Sequence, residues 1–201
     1  MKNTFSKGFT LVEMLIVVTL IAALAAAVVV VLNPMELLAQ GRDAQRMADL
    51  STVQDALRIL LAQGLVPTPS LCLDGTAAGG GCNDGGICMI DPGLGNGPFS
   101  VQTCGGLNVD RTVGGAGWVD ANLADARTGG SPIVTLPIDP IHNTSFFYAY
   151  KANAAGTFKL ASRLESERYR QMMIDDGGIR NICPTNTANT CFYEIGSNLA
   201  L

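Results

Sequence analysis

Met14 to Leu32 is an uncharged run of 19 residues with a single carboxylate, Glu13, directly before it. About 20 such residues make a helix long enough to cross the hydrocarbon core of a bilayer. A helix of this kind cannot stand alone in water, so outside the bilayer it must bundle with other helices, copies of itself foremost. Glu13 sharpens that demand. A carboxylate within a membrane-length segment costs on the order of 2.5–3.5 kcal/mol or more at the bilayer centre, and such a residue usually meets a partner charge. The segment ahead of it, Met1 to Gly8, is polar and carries Lys2 and Lys7 as its only charges. By the positive-inside rule these keep the leader cytoplasmic and place everything after Leu32 outside.

The word Gly8-Phe9-Thr10-Leu11-Val12-Glu13, with its basic leader and apolar continuation, resembles the processing and methylation signal of type IV pilins and of type II secretion pseudopilins. The resemblance implies that prepilin peptidase cuts after Gly8, and that Phe9 becomes an N-methylated mature terminus. It also implies that Glu13 is the assembly glutamate, paired with the Phe9 amine of a neighbouring subunit. The physics agrees, because each charge is costly alone in lipid and pairing offsets much of the cost. Two plainer readings compete. A secretory signal peptide has small residues such as Ala25, Ala26 and Ala27, but the run is too long for an h-region and Glu13 interrupts its start. A plain membrane anchor accounts for the length and leaves Glu13 without a role.

The rest of the composition fits an exported body. The formal charge is −4, and −6 without Lys2 and Lys7, so the chain is not built to grip nucleic acid through its phosphates. All six cysteines (Cys72, Cys82, Cys88, Cys104, Cys183 and Cys191) follow the apolar run, which reads as disulfides with fifteen possible connectivities. Cys183 with Cys191 is the preferred pair, and the other four pair among themselves. With no C-x-x-C pair and one histidine, His142, neither a structural zinc site nor a Cys-His or Ser-His-Asp centre is expected. No catalytic, cofactor-binding or metal-ligating residue is predicted, and the chain is not read as an enzyme.

Asn33-Pro34-Met35-Glu36 reads as a helix restart, with an N-cap, a proline at the first helical position and a glutamate at the third. Pro34 and the β-branched run Val28 to Val31 predict a break, kink or extensible stretch near residues 28–34. From Met35 to Gln63 the pattern is amphipathic. Met47, Leu50, Val53, Leu57 and Leu60 form an apolar stripe, while Arg42, Asp43, Arg46, Asp49, Asp55 and Arg58 occupy the other faces as solvated groups or subunit contacts. Gly41 is a weak spot and Gly64 a stop.

Residues 65–131 hold sixteen of the 23 glycines and match no phosphate-binding loop. They are expected to be irregular and disulfide-bearing, with Trp118 a buried anchor. Strands are predicted at Ile133–Leu136, Ser145–Tyr150 and Thr157–Ser162, the last two a hairpin turning through Asn153 and Gly156. Leu136-Pro137-Ile138-Asp139-Pro140 before an aromatic strand, and Arg163 to Ser166 after the hairpin, resemble segments of major pseudopilins. Asp175-Asp176-Gly177-Gly178 is acidic enough to consider calcium but lacks EF-hand spacing, and a solvated turn is expected there.

The expectation is an α+β, pilin-like lollipop, with a long N-terminal helix packed on a small antiparallel sheet and an irregular glycine-rich, disulfide-bearing loop. Its predicted parts are a leader (1–8), a transmembrane or filament-core helix (9–32), an amphipathic helix continuing into the head (33–64) and an extracytoplasmic head (65–201). The resemblance implies a structural filament subunit, a type IV pilin first and a pseudopilin second. It also implies three partners: copies of itself, prepilin peptidase and inner-membrane assembly machinery. The implied location is the bacterial inner membrane before assembly and a surface filament after it. A secreted binding module on a pilin-like anchor is the alternative from another class.

Overall fold

The structure, a computed structural model, describes residues 8–65, 87–88, 98–99, 106–153, 155–181, 183 and 191–201. The leader up to Lys7 and the cysteines Cys72, Cys82 and Cys104 lie outside the described residues, as does most of the glycine-rich stretch. The chain divides into two units, Met1–Leu38 and Ala39–Leu201.

In the first unit, helix α1 runs Leu11–Leu32. Leu11, Leu15, Ile16, Leu20, Ile21, Leu24 and Val28 are all at least half exposed, as the uniform apolarity of the run dictates. Nineteen residues of it, Leu11–Val29, are long and apolar enough to cross a membrane. The predicted break is present but narrow. The valine run stays helical, and only Asn33 leaves the helical region, at φ 41° and ψ 77°. Asparagine tolerates this left-handed conformation, and the following proline accepts the first position of α2, Pro34–Ala62. The Asn33 carbonyl receives the amides of Glu36 (3.0 Å) and Leu37 (3.3 Å), so one residue ends one helix and opens the next.

In the second unit, burial on α2 begins at Ala39. Leu50, Val53, Ala56, Leu57 and Leu60 join one buried cluster with Trp118, Leu136, Phe147, Tyr148, Tyr150, Leu160 and Phe192. Each fully buried aliphatic or aromatic side chain contributes about 1.5–3 kcal/mol. Met47, the first residue of the predicted stripe, is half-buried beside a smaller cluster of Leu164, Met173 and Cys191.

The sheet has strand order β2-β1-β3-β4-β5, with β1 Ile87–Cys88, β2 Gly106–Leu107, β3 Tyr148–Ala152, β4 Phe158–Ser162 and β5 Tyr193–Gly196. Strands β3, β4 and β5 form a three-stranded antiparallel core; β1 adds antiparallel to β3, and β2 parallel to β1. The β3–β4 turn closes through Asn153 and Gly156, as expected, with Gly156 at φ 76°.

The predicted strand Ile133–Leu136 does not form. Pro132, Pro137 and Pro140 remove donors along this stretch, its one bond through a backbone amide to a neighbouring segment among the described residues runs from Leu136 to the Arg111 carbonyl (2.9 Å), and Val134 stands 96% exposed. The tail, in contrast, is more regular than expected. A short helix α3, Arg170–Asp175, precedes it, β5 completes the sheet edge, and Cys183 and Cys191 form a disulfide with Cα atoms 4.9 Å apart. The fold is α+β, a long N-terminal helix followed by a small antiparallel sheet.

Candidate functional site

The helix start is built locally. Thr10 is extended (φ −84°, ψ 151°), its hydroxyl accepts the Glu13 amide at 3.2 Å, and its carbonyl accepts the Met14 amide at 3.2 Å. Thr10-Leu11-Val12-Glu13 therefore carries the S/T-x-x-E pattern of a capping box, a signal present in the sequence itself. The cap fixes where α1 begins, at Leu11, three residues beyond Gly8. Gly8 and Phe9 stay outside the helix and exposed, with Phe9 73% exposed and open space around Gly8. The Gly8–Phe9 bond thus lies outside the helix, between two exposed residues. Glu13 lies in the first turn, where a carboxylate complements the exposed amides of a helix N-terminus, and is exposed one turn from Phe9.

In the second unit the charges of α2 are not all on a solvated face. Asp43 and Arg46 are fully buried, which corrects the reading of both as surface groups. The Arg46 guanidinium donates to Asp139 through Nε (2.7 Å) and Nη2 (3.1 Å), and to Asp43 through Nη1 (2.8 Å). Its carbon lies 4.7 Å from the Phe146 ring centroid. Asp43 accepts the amides of Glu165 (2.8 Å) and Ser166 (2.7 Å), while Asp139 accepts those of Ile141 (2.8 Å) and His142 (3.2 Å). At the rim, Arg42 holds Glu165 with bonds of 2.8 and 2.6 Å.

One helical turn thus clasps two loops, 139–146 and 163–166, through charges that satisfy one another. Burial works against the Arg46 charge, but the bonds and attraction of Asp139 and Asp43 outweigh it and hold its pKa above the ordinary value. The Arg42 bond holds Glu165 below the usual carboxylate range despite partial burial. Next along the helix, Asp49 accepts the Tyr148 hydroxyl at 2.8 Å, and burial followed by that bond pushes the phenol well up. The sequence signal for the clasp was the i,i+3 spacing of Asp43 and Arg46; their partners lie 93 to 123 residues away.

Trp118 is fully buried and its Nε1 donates to the Pro137 carbonyl at 3.0 Å, as expected of an anchor. His142 occupies its loop at φ 50°. Asp176 is not a simple solvated turn residue: its two oxygens accept the amides of Gly178 (2.8 Å) and Glu194 (2.7 Å), and burial raises its pKa. Of the six predicted disulfide cysteines, Cys183 and Cys191 are joined; Cys88 falls in β1.

No curated protein and no solved structure matches the chain. Residues 4–29 match the family model described as the prokaryotic N-terminal methylation motif, which covers the capped helix start and most of α1. The chain therefore carries the prepilin signal of type IV pilins and pseudopilins.

Proposed function

We propose that this protein is a structural subunit of a type IV pilus or a related filament, cut after Gly8, N-methylated on Phe9 and assembled through α1. The observation that carries the reading is the methylation motif at residues 4–29 on a helix exposed along its apolar length. In the precursor that helix crosses the inner membrane with Met1 on the cytoplasmic side. In the filament it packs against copies of itself, Glu13 pairing with a neighbour's Phe9 amine, and the domain after residue 64 lies outside. A pseudopilin of a secretion system is the second reading, favoured by Leu136-Pro137-Ile138-Asp139-Pro140 before an aromatic strand, with Asp139 and Phe146 both engaged by Arg46.

Shearing the producing cells tests this. The expected result is a high-mass surface fraction containing the wild-type chain and lacking Glu13→Ala, which is still processed and found in the membrane. A wild-type chain absent from the sheared fraction, whose deletion blocks protein secretion, selects the pseudopilin. A chain that stays in the membrane with neither phenotype refutes both.

A further inference from the structure

The face of the sheet opposite Tyr150 and Leu160 holds a second buried charge site, formed by Lys159 of β4 and Glu194 of β5. Ala161 pairs with Glu194 in the register, so Lys159, two residues away, is the diagonal neighbour of Glu194 on the same face. The lysine Nζ lies 2.8 Å from Glu194 Oε1, and both side chains have zero exposure. Three features hold the amine in place. Nζ also meets the Pro98 carbonyl (3.2 Å) and the Leu199 carbonyl (3.4 Å), and it lies 5.5 Å from the centroid of the fully buried Phe99 ring. The carboxyl is fixed as firmly, since its other oxygen accepts the Arg180 amide at 3.1 Å. A methyl group built on Gly178 would strike Glu194 Oε2, approach its carboxyl carbon to 2.6 Å and lie 3.0 Å from Asp176 Oδ1. Glycine at 178 thus leaves room for the carboxyl groups of Glu194 and Asp176.

We propose that Lys159 and Glu194 become joined by an intramolecular isopeptide bond. Taking two ions out of water costs several kcal/mol each, and an ion pair recovers this only with good geometry. Condensation removes both charges, so an environment that penalises the separated ions favours the neutral amide. Burial lowers the pKa of the Lys159 amine, enlarging its neutral, nucleophilic fraction, and raises that of Asp176 across Gly178.

The step balances without a co-reactant. One proton passes from Nζ to the Glu194 carboxylate across their 2.8 Å contact, the amine so freed attacks the carboxyl carbon, and the C–N bond forms. An amine proton then passes to the hydroxyl oxygen of that carboxyl group; the C–O bond breaks and one water leaves. Nothing is oxidised or reduced. The product ties the edge strand β5 to its neighbour and closes a loop, 35 residues in sequence separation, that also contains Cys183–Cys191. Such a bond keeps the edge strand from peeling off under tension.

Intact mass measurement of the purified full chain, denatured, reduced and alkylated, tests the bond. The expected result is a mass one water below that of the sequence, with a digest fragment joining the Lys159 and Glu194 peptides. Lys159→Arg, which keeps a cation beside Glu194, is expected at its full mass. A wild-type chain at full mass yielding separate linear Lys159 and Glu194 peptides overturns the proposal. So does Lys159→Arg still lacking one water, which would place the loss elsewhere.

Discussion

Replacing Arg46 by methionine removes the cation at the centre of the clasp and keeps much of its volume. Two fully buried carboxylates, Asp43 and Asp139, then lose three charge-assisted bonds of 2.7 to 3.1 Å. Breaking a buried ion pair by deleting one partner costs about 3–5 kcal/mol, because the remaining charge stays desolvated. Here each carboxylate keeps two backbone amides, so the lower end, about 3 kcal/mol, is the expected loss. For a unit the size of Ala39–Leu201 that corresponds to a fall in Tm of about 6–12 °C. The measurement is thermal and urea unfolding of the full chain in detergent, followed by the fluorescence of Trp118, which is buried in the same unit. Adding Asp43→Leu and Asp139→Leu to Arg46→Met removes the stranded charges and is expected to recover part of the loss. A change below about 1 kcal/mol for Arg46→Met, the value of an exposed pair, would show that the clasp is not a buried charge network.

Further expectations follow from single contacts. Gly41 lies inside α2 with open space around it, so Gly41→Ala is expected to raise urea-unfolding stability by about 0.5–1 kcal/mol. Gly117→Ala is expected to lower it, because the new methyl would collide with the Thr112 carbonyl and meet Leu136 Cδ1 at 2.5 Å. The depressed Glu165 pKa stabilises the fold above the unfolded value of 4.5, and that stability is lost as pH falls through the folded value. Arg42→Gln is therefore expected to lose less stability than wild type between about pH 6 and pH 3 in urea titrations. Thr10→Ala removes the cap hydroxyl and is expected to cost α1 about 1 kcal/mol, read as fraying of residues 11–14 by amide exchange in micelles.

The elements that rest on local rules were readable in the sequence. The apolar run, the Asn33-Pro34 break and the stripe Leu50, Val53, Leu57 and Leu60 obey helical periodicity and cap chemistry. The hairpin through Asn153 and Gly156 follows from turn residues. Ile133–Leu136 has strand composition but sits among prolines, so its backbone found no ladder. β5 was missed because Tyr193–Gly196 is only four residues long, and its pairing with β4 is set by tertiary contact. The buried charges were the least legible. Asp43 and Arg46 look like any i,i+3 surface pair until Asp139 and Phe146 arrive from a distant loop. Lys159 and Glu194 likewise gain their meaning only from strand register. Of the proposed processing site, Gly8, Phe9 and Glu13 fall within the one contiguous word from Gly8 to Glu13, and its cap residue Thr10 was readable by local capping chemistry.

The proposed cut at Gly8–Phe9 is tested by the mass of the N-terminal peptide after co-expression with a prepilin peptidase. Loss of Met1 to Gly8 and a peptide that begins with N-methylated Phe9 are expected. A chain cut among Ala25 to Ala27, or one that keeps Met1 to Gly8 uncut, would contradict the proposed cut.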